Sequence, residues 1–101
     1  MRVFLLFTAA ALFAAPAAAA EFEAEIATFQ FKPKTMTVKV GDSVTWTNLD
    51  GADHSVTAAG DFDTGLFGKG ESRTITFEMA GTFVFHCSRH GSMTGEIVVE
   101  P

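Results

Sequence analysis

From Glu21 onward, apolar and polar residues alternate in short runs broken by glycine, proline and aspartate. Phe22, Ala24 and Ile26 fall on one side of an extended chain and Glu21, Glu23 and Glu25 on the other, a period of two that defines a half-buried strand. The extended run continues to Lys32-Pro33-Lys34, where proline breaks it. Met36, Val38 and Val40 then alternate with Thr35, Thr37 and Lys39, and Gly41-Asp42 turns the chain into Ser43–Asn48, with Val44 and Trp46 on one face. After the turn-forming Asp50-Gly51 pair comes a short β-like run, His54-Ser55-Val56-Thr57, then a loop from Gly60 to Gly70 that holds four glycines. Arg73–Phe77 alternates, Ala80-Gly81 turns, Thr82–Cys87 forms another strand, and Glu96–Glu100 closes the chain. No helical period of useful length and no internal repeat interrupts this series. Seven to eight short strands with turn signals between them predict an all-β fold, an antiparallel β-sandwich.

The first twenty residues follow a different rule. Arg2 precedes a largely apolar run from Val3 to Ala15, and small residues end the segment at Ala18-Ala19-Ala20. This is the pattern of a secretory signal peptide, residues 1–20, with cleavage expected after Ala20 and a single domain over 21–101. The apolar core is short for a spanning helix and no later stretch is continuously apolar, so no membrane span is expected. Seven basic residues face twelve acidic ones, a formal charge of −5, and loss of Arg2 with the leader makes the remainder more acidic still. Nucleic acid and anionic membrane surfaces are poor partners for such a chain.

One cysteine in an exported protein cannot form an internal disulfide, so the thiol has to be buried, paired between chains or bound to metal. Cys87 ends a strand at a polar loop that supplies His90 and Met93 in quick succession, a Cys-x-x-His-x-x-Met spacing. Thiolate and thioether are soft ligands that suit Cu(I), and imidazole suits both oxidation states; two histidines, a cysteine and a weak axial methionine form an electron-transfer copper site. The second histidine comes from a short list of His54, His86 and His90. In the strand through Cys87, Phe83, Phe85 and Cys87 share a face while Val84 and His86 share the other, so His86 points away from the thiol. His54 remains, and the candidate metal ligands are His54, Cys87, His90 and Met93 for one copper ion.

Other residues fit plainer roles. Met36 and Trp46 lie on alternating apolar faces and read as core, and Met79 beside the Ala80-Gly81 turn reads as packing. Asp61 and Asp63 sit in a glycine-bearing loop with no device for raising a carboxyl pKa, which argues against acid–base catalysis. A catalytic copper would need further histidines, a binuclear centre would need two cysteines, and methionine is not a usual zinc ligand. The chain is therefore expected not to be an enzyme.

Thr45-Trp46-Thr47-Asn48-Leu49-Asp50 leading to His54-Ser55-Val56, the Phe62–Leu66 loop, and Gly81–Cys87 running into His90 and Met93 resemble the cupredoxin, or blue copper, family. The resemblance covers nearly all of the chain after the leader, and the two-residue gap between His90 and Met93 is similar to the amicyanin branch rather than to plastocyanin or pseudoazurin. It implies a Greek-key β-sandwich and a type 1 copper bound by His54, Cys87 and His90 with Met93 as the long axial ligand. It also implies a soluble, monomeric periplasmic carrier passing one electron between redox partners such as a dehydrogenase, cytochrome c or reductase. Electrons would leave through the edge of His90 beside Leu66 and Phe67, and the Ser55 amide would bond the Cys87 sulfur. The alternative is a periplasmic copper-binding protein that buffers or delivers the metal. Many family members have asparagine after the first histidine, where it ties the ligand loops together, and this chain has Ser55.

Overall fold

The computed structural model describes residues 18–101. Most of the expected leader, 1–20, therefore lies outside the described residues. Among the described residues nine strands run in chain order: β1 (Glu21–Ala27), β2 (Gln30–Lys32), β3 (Thr35–Lys39), β4 (Ser43–Asn48), β5 (Thr57–Ala58), β6 (Phe62–Asp63), β7 (Ser72–Thr76), β8 (Gly81–His86) and β9 (Thr94–Glu100). They form two sheets, one ordered β2-β1-β4-β7 and the other β3-β9-β8-β5-β6.

The sandwich has the expected faces. Ala24 and Ile26 of β1 and Val44 and Trp46 of β4 are buried, while Glu21, Glu23 and Glu25 are exposed. On the outer face of the first sheet, Ser43, Thr45 and Thr47 pair with Thr76, Thr74 and Ser72, their hydroxyls hydrogen-bonded at 2.7–2.8 Å. This hydroxyl ladder reinforces the β4/β7 register, because a one-residue slip would turn it inward and expose Val44 and Trp46. Inside, Phe85 of β8 meets Phe31 of β2 and Trp46 of β4 edge-on, with centroids 4.9 and 5.7 Å apart, and so joins the two sheets. Full burial of side chains this large stabilises the fold by about 1.5–3 kcal/mol each.

Two features depart from the alternation pattern. The sheets are mixed: β1 runs parallel to β4, and β3 parallel to β9, while the remaining pairs are antiparallel. Alternation specifies which face of a strand is buried but not the direction of its neighbour. The long first run is also divided, since β1 and β2 form a hairpin closed at Thr28-Phe29, both residues at positive φ (52° and 59°). Such a primed turn normally carries asparagine or glycine, and Thr-Phe gives no local signal for it.

Candidate metal centre

The site lies where the second sheet gives way to loops. After β8 the chain leaves the sheet at Cys87 and folds into a tight loop: the His90 amide donates to the Cys87 carbonyl, the Met93 amide to the His90 carbonyl, and the Cys87 amide to the Met93 carbonyl. These bonds return the chain into β9 and place Cys87, His90 and Met93 on one small arch. Cys87 is fully buried and Met93 is 4 % exposed, whereas His90 is half-buried.

His54 comes from the other side. It forms an isolated bridge with Phe67, each backbone bonding the other, and is fully buried. Buried Asn48 organises the approach. Its side-chain amide donates to the Ala52 and Phe67 carbonyls at 2.9 Å, and its oxygen accepts the Asp50 amide. Every polar atom of this asparagine side chain is thus used to shape the loop leading to His54.

The two segments meet at sulfur. Cys87 Sγ lies 3.7 Å from His54 Nδ1 and 3.6 Å from His90 Nδ1, and the ligand atoms of all three side chains fall within 4.8 Å of one another. Metal bonds of about 2.3 Å to sulfur and about 2.0 Å to nitrogen, opened to a trigonal angle, separate nitrogen from sulfur by about 3.7 Å. The spacing therefore fits a first-row metal ion held between two imidazoles and a thiolate. Met93 is the buried end of the same arch.

The expected link between ligand loops is present in a different form. Ser55 Oγ accepts the Ser88 amide at 2.9 Å, donates to the Ser88 hydroxyl at 3.1 Å, and bonds Thr57 Oγ1 at 2.8 Å. Thr57 in turn donates to Asp63 Oδ1, which also accepts the Gly65 amide. A chain of hydroxyls thus does what an asparagine side chain was expected to do, and roots the tie in β5 and the Phe62–Gly65 segment. One expectation changes. Phe67 is buried at 1 % exposure, so it is a core residue behind His54 and not part of a surface around His90.

Two neighbours escaped the sequence reading. Asp50 accepts a hydrogen bond from His54 Nε2 at 3.0 Å, and its carboxylate also accepts the Thr28 and Phe29 amides at 2.7 and 2.8 Å. Burial works to raise the Asp50 carboxyl, but the Phe29 and Thr28 amides and then the His54 side chain prevail and hold it below the usual aspartate range. Phe29 meets the His54 and His90 rings edge-on, at centroid distances of 4.8 and 5.0 Å. Asp50-Gly51 signalled only a turn, and Phe29 lay inside an apparently continuous strand.

A mixed β-sandwich with a buried cysteine sulfur and two converging imidazoles defines a small metal protein of the blue copper kind. The chain belongs to the copper-binding proteins of the plastocyanin/azurin family, whose family model matches residues 18–100. It is 35 % identical over 86 residues to amicyanin of Paracoccus denitrificans, covering 75 % of this chain and 63 % of that protein, less than two thirds of its length. It is 34 % identical over 100 residues to chloroplastic plastocyanin of Tetradesmus obliquus, covering 85 % and 69 % of the two chains. A solved copper(I) form of an amicyanin variant superposes with a TM-score of 0.74 at 36 % identity, over 91 % of this chain and 90 % of that one.

Proposed function

We propose that this protein is a one-electron carrier of the periplasm, with His54, Cys87, His90 and Met93 as the ligands of a single type 1 copper. The observation that carries the reading is the convergence of the Cys87 sulfur and two imidazole Nδ1 atoms at 3.6–3.7 Å, drawn from a β-bridge and a tightly bonded arch. When bound there, copper supplies a Cu(II)/Cu(I) couple. The protein's part is to hold the donors still: the Asn48 bonds fix the His54 loop, the Ser55–Ser88 tie fixes the Cys87 arch, and the fully buried thiol is kept from water. His90 is the ligand that reaches the surface, so its imidazole edge is the natural route for an electron to a docked redox protein. Amicyanin and plastocyanin among the relatives support soluble redox proteins as partners and an exported location, in keeping with the leader read in residues 1–20. A chain with only three histidines also favours a carrier over a copper enzyme.

The test is the visible and EPR spectrum of residues 21–101 with one equivalent of Cu(II), beside Cys87→Ser. An intense thiolate-to-copper band with narrow copper hyperfine splitting, absent from the variant, is the expected result. A colourless complex in the unaltered chain would remove the electron-carrier reading.

A further inference from the structure

We propose that Asp50 is a positioning residue that sets both imidazole ligands at once, orienting His54 by a hydrogen bond and His90 through the Phe29 turn that the same carboxylate holds. The inference rests on the copper reading for its consequence, but its geometry stands in the metal-free chain. His54 presents Nδ1 to the thiol at 3.7 Å and Nε2 to Asp50 at 3.0 Å. An imidazole can offer a lone pair to a metal at Nδ1 only if its remaining proton is on Nε2, and a carboxylate facing Nε2 selects that tautomer. Asp50 therefore aims the lone pair before any metal arrives.

The second half concerns the turn. Thr28 and Phe29 both adopt the left-handed region, which is costly for non-glycine residues and above all for a bulky aromatic one. Neither has the side chain that usually stabilises such a turn. Asp50 supplies what is missing from 21 residues away, one oxygen accepting the Thr28 amide and the other accepting Phe29 and His54 together. The turn so held places the Phe29 ring edge-on to both imidazoles, which are themselves 5.2 Å apart. Phe29 is 47 % exposed, so core packing alone does not account for its strained position. Contact with the imidazoles, fixed by Asp50, does. His54 is locked from its Nε2 edge, and the half-buried His90 is braced by a ring that Asp50 positions.

The experiment compares the unaltered protein with Asp50→Ala, Phe29→Ala and the double variant. Long-range nitrogen–proton NMR of the metal-free chains reads the His54 tautomer, and competition with a chelator reads Cu(II) affinity. The unaltered chain is expected to show a single Nε2–H tautomer at His54. Asp50→Ala is expected to show mixed tautomers and affinity lower by roughly 10–100-fold. Adding Phe29→Ala to Asp50→Ala is expected to cost less than Phe29→Ala costs alone, since the ring is no longer held. Retention of the single tautomer with affinity within twofold, or strictly additive losses, would overturn the proposal. Should Asp50→Ala not fold, Asp50→Asn decides: one amide oxygen cannot serve all three donors, so an affinity drop of more than about threefold supports the proposal and unchanged affinity overturns it. Failure of the unaltered chain to give a thiolate-to-copper band would count against the copper reading, while the metal-free tautomer measurement would still judge Asp50.

Discussion

At the scale of single residues, the chemistry was legible where it depended on residue type and hidden where it depended on who meets whom. The proposed ligands Cys87, His90 and Met93 declare themselves by spacing, and His54 by being the histidine that neither the arch nor the outer face of β8 accounts for. Ser55 is the opposite case. Read against family members with asparagine it suggests a tie that is weaker or differently made, and its fully buried hydroxyl makes it differently, accepting the Ser88 amide, donating to the Ser88 hydroxyl and joining Thr57 and Asp63. Removing that oxygen leaves the Ser88 amide facing a small apolar gap. Ser55→Ala is therefore expected to destabilise the metal-free protein by about 1 kcal/mol, read as a lower urea midpoint with unchanged slope. It should also quicken copper release, because Ser88 directly follows Cys87, the proposed thiolate ligand. A midpoint equal to that of the unaltered protein would mean that water replaces the hydroxyl without loss.

At the scale of elements, Gly95 controls how β9 seats under the arch. It lies opposite Phe85 in the β8/β9 register, and a Cβ added there would come within 2.5 Å of the Phe85 ring and 2.9 Å of the Lys34 carbonyl. The ring cannot easily give way, since it is fully buried between Phe31 and Trp46. Gly95→Ala is accordingly expected to cost about 1–3 kcal/mol, measured by urea unfolding of the metal-free chain. Gly81→Ala, which meets a Phe83 ring edge at 3.3 Å, tests a different feature, its φ of 153°. The same elements show what alternation can and cannot specify. It defines the buried faces of β1, β4, β8 and β9 because a strand must put its apolar side chains on one side. It is silent on the parallel pairings of β1 with β4 and β3 with β9, since direction is set by where connections cross between the sheets. The Thr28-Phe29 turn was invisible for a related reason: the group that stabilises it, Asp50, is remote in sequence.

At the scale of the whole molecule, one carboxylate fastens the start of the sandwich to its body. Asp42, nearly buried in the turn between β3 and β4, accepts the Ala20 amide at 2.8 Å and the Lys39 amide at 2.9 Å, while the Ala20 carbonyl accepts the Ser43 amide at 3.0 Å. The Ala20 amide and then the Lys39 amide, against the opposing effect of burial, hold the Asp42 carboxyl below its ordinary value of 3.8. Between that folded value and 3.8 the unfolded chain binds more protons than the folded one, so stability rises with pH there. The contribution is complete above the unfolded value and is lost as pH falls through the folded one. In a chain that retains Ala20, Asp42→Asn should flatten the fall in urea midpoint of the metal-free protein between about pH 5 and about pH 3. On the proposed export of the chain, the same contact bears on which bond is cut. Cleavage after Ala20, as the alanine run suggests, removes both Ala20 bonds; cleavage one bond earlier leaves an α-ammonium beside Asp42 in place of an amide. A chain beginning at Ala20 is therefore expected to exceed one beginning at Glu21 by about 1 kcal/mol near pH 5. The margin should shrink as acid protonates Asp42, because the ammonium then faces a neutral carboxyl. Equal urea midpoints for the two chains at pH 5 would show that β1 needs no anchor at its first residue, and that Asp42 acts through the β3–β4 turn alone.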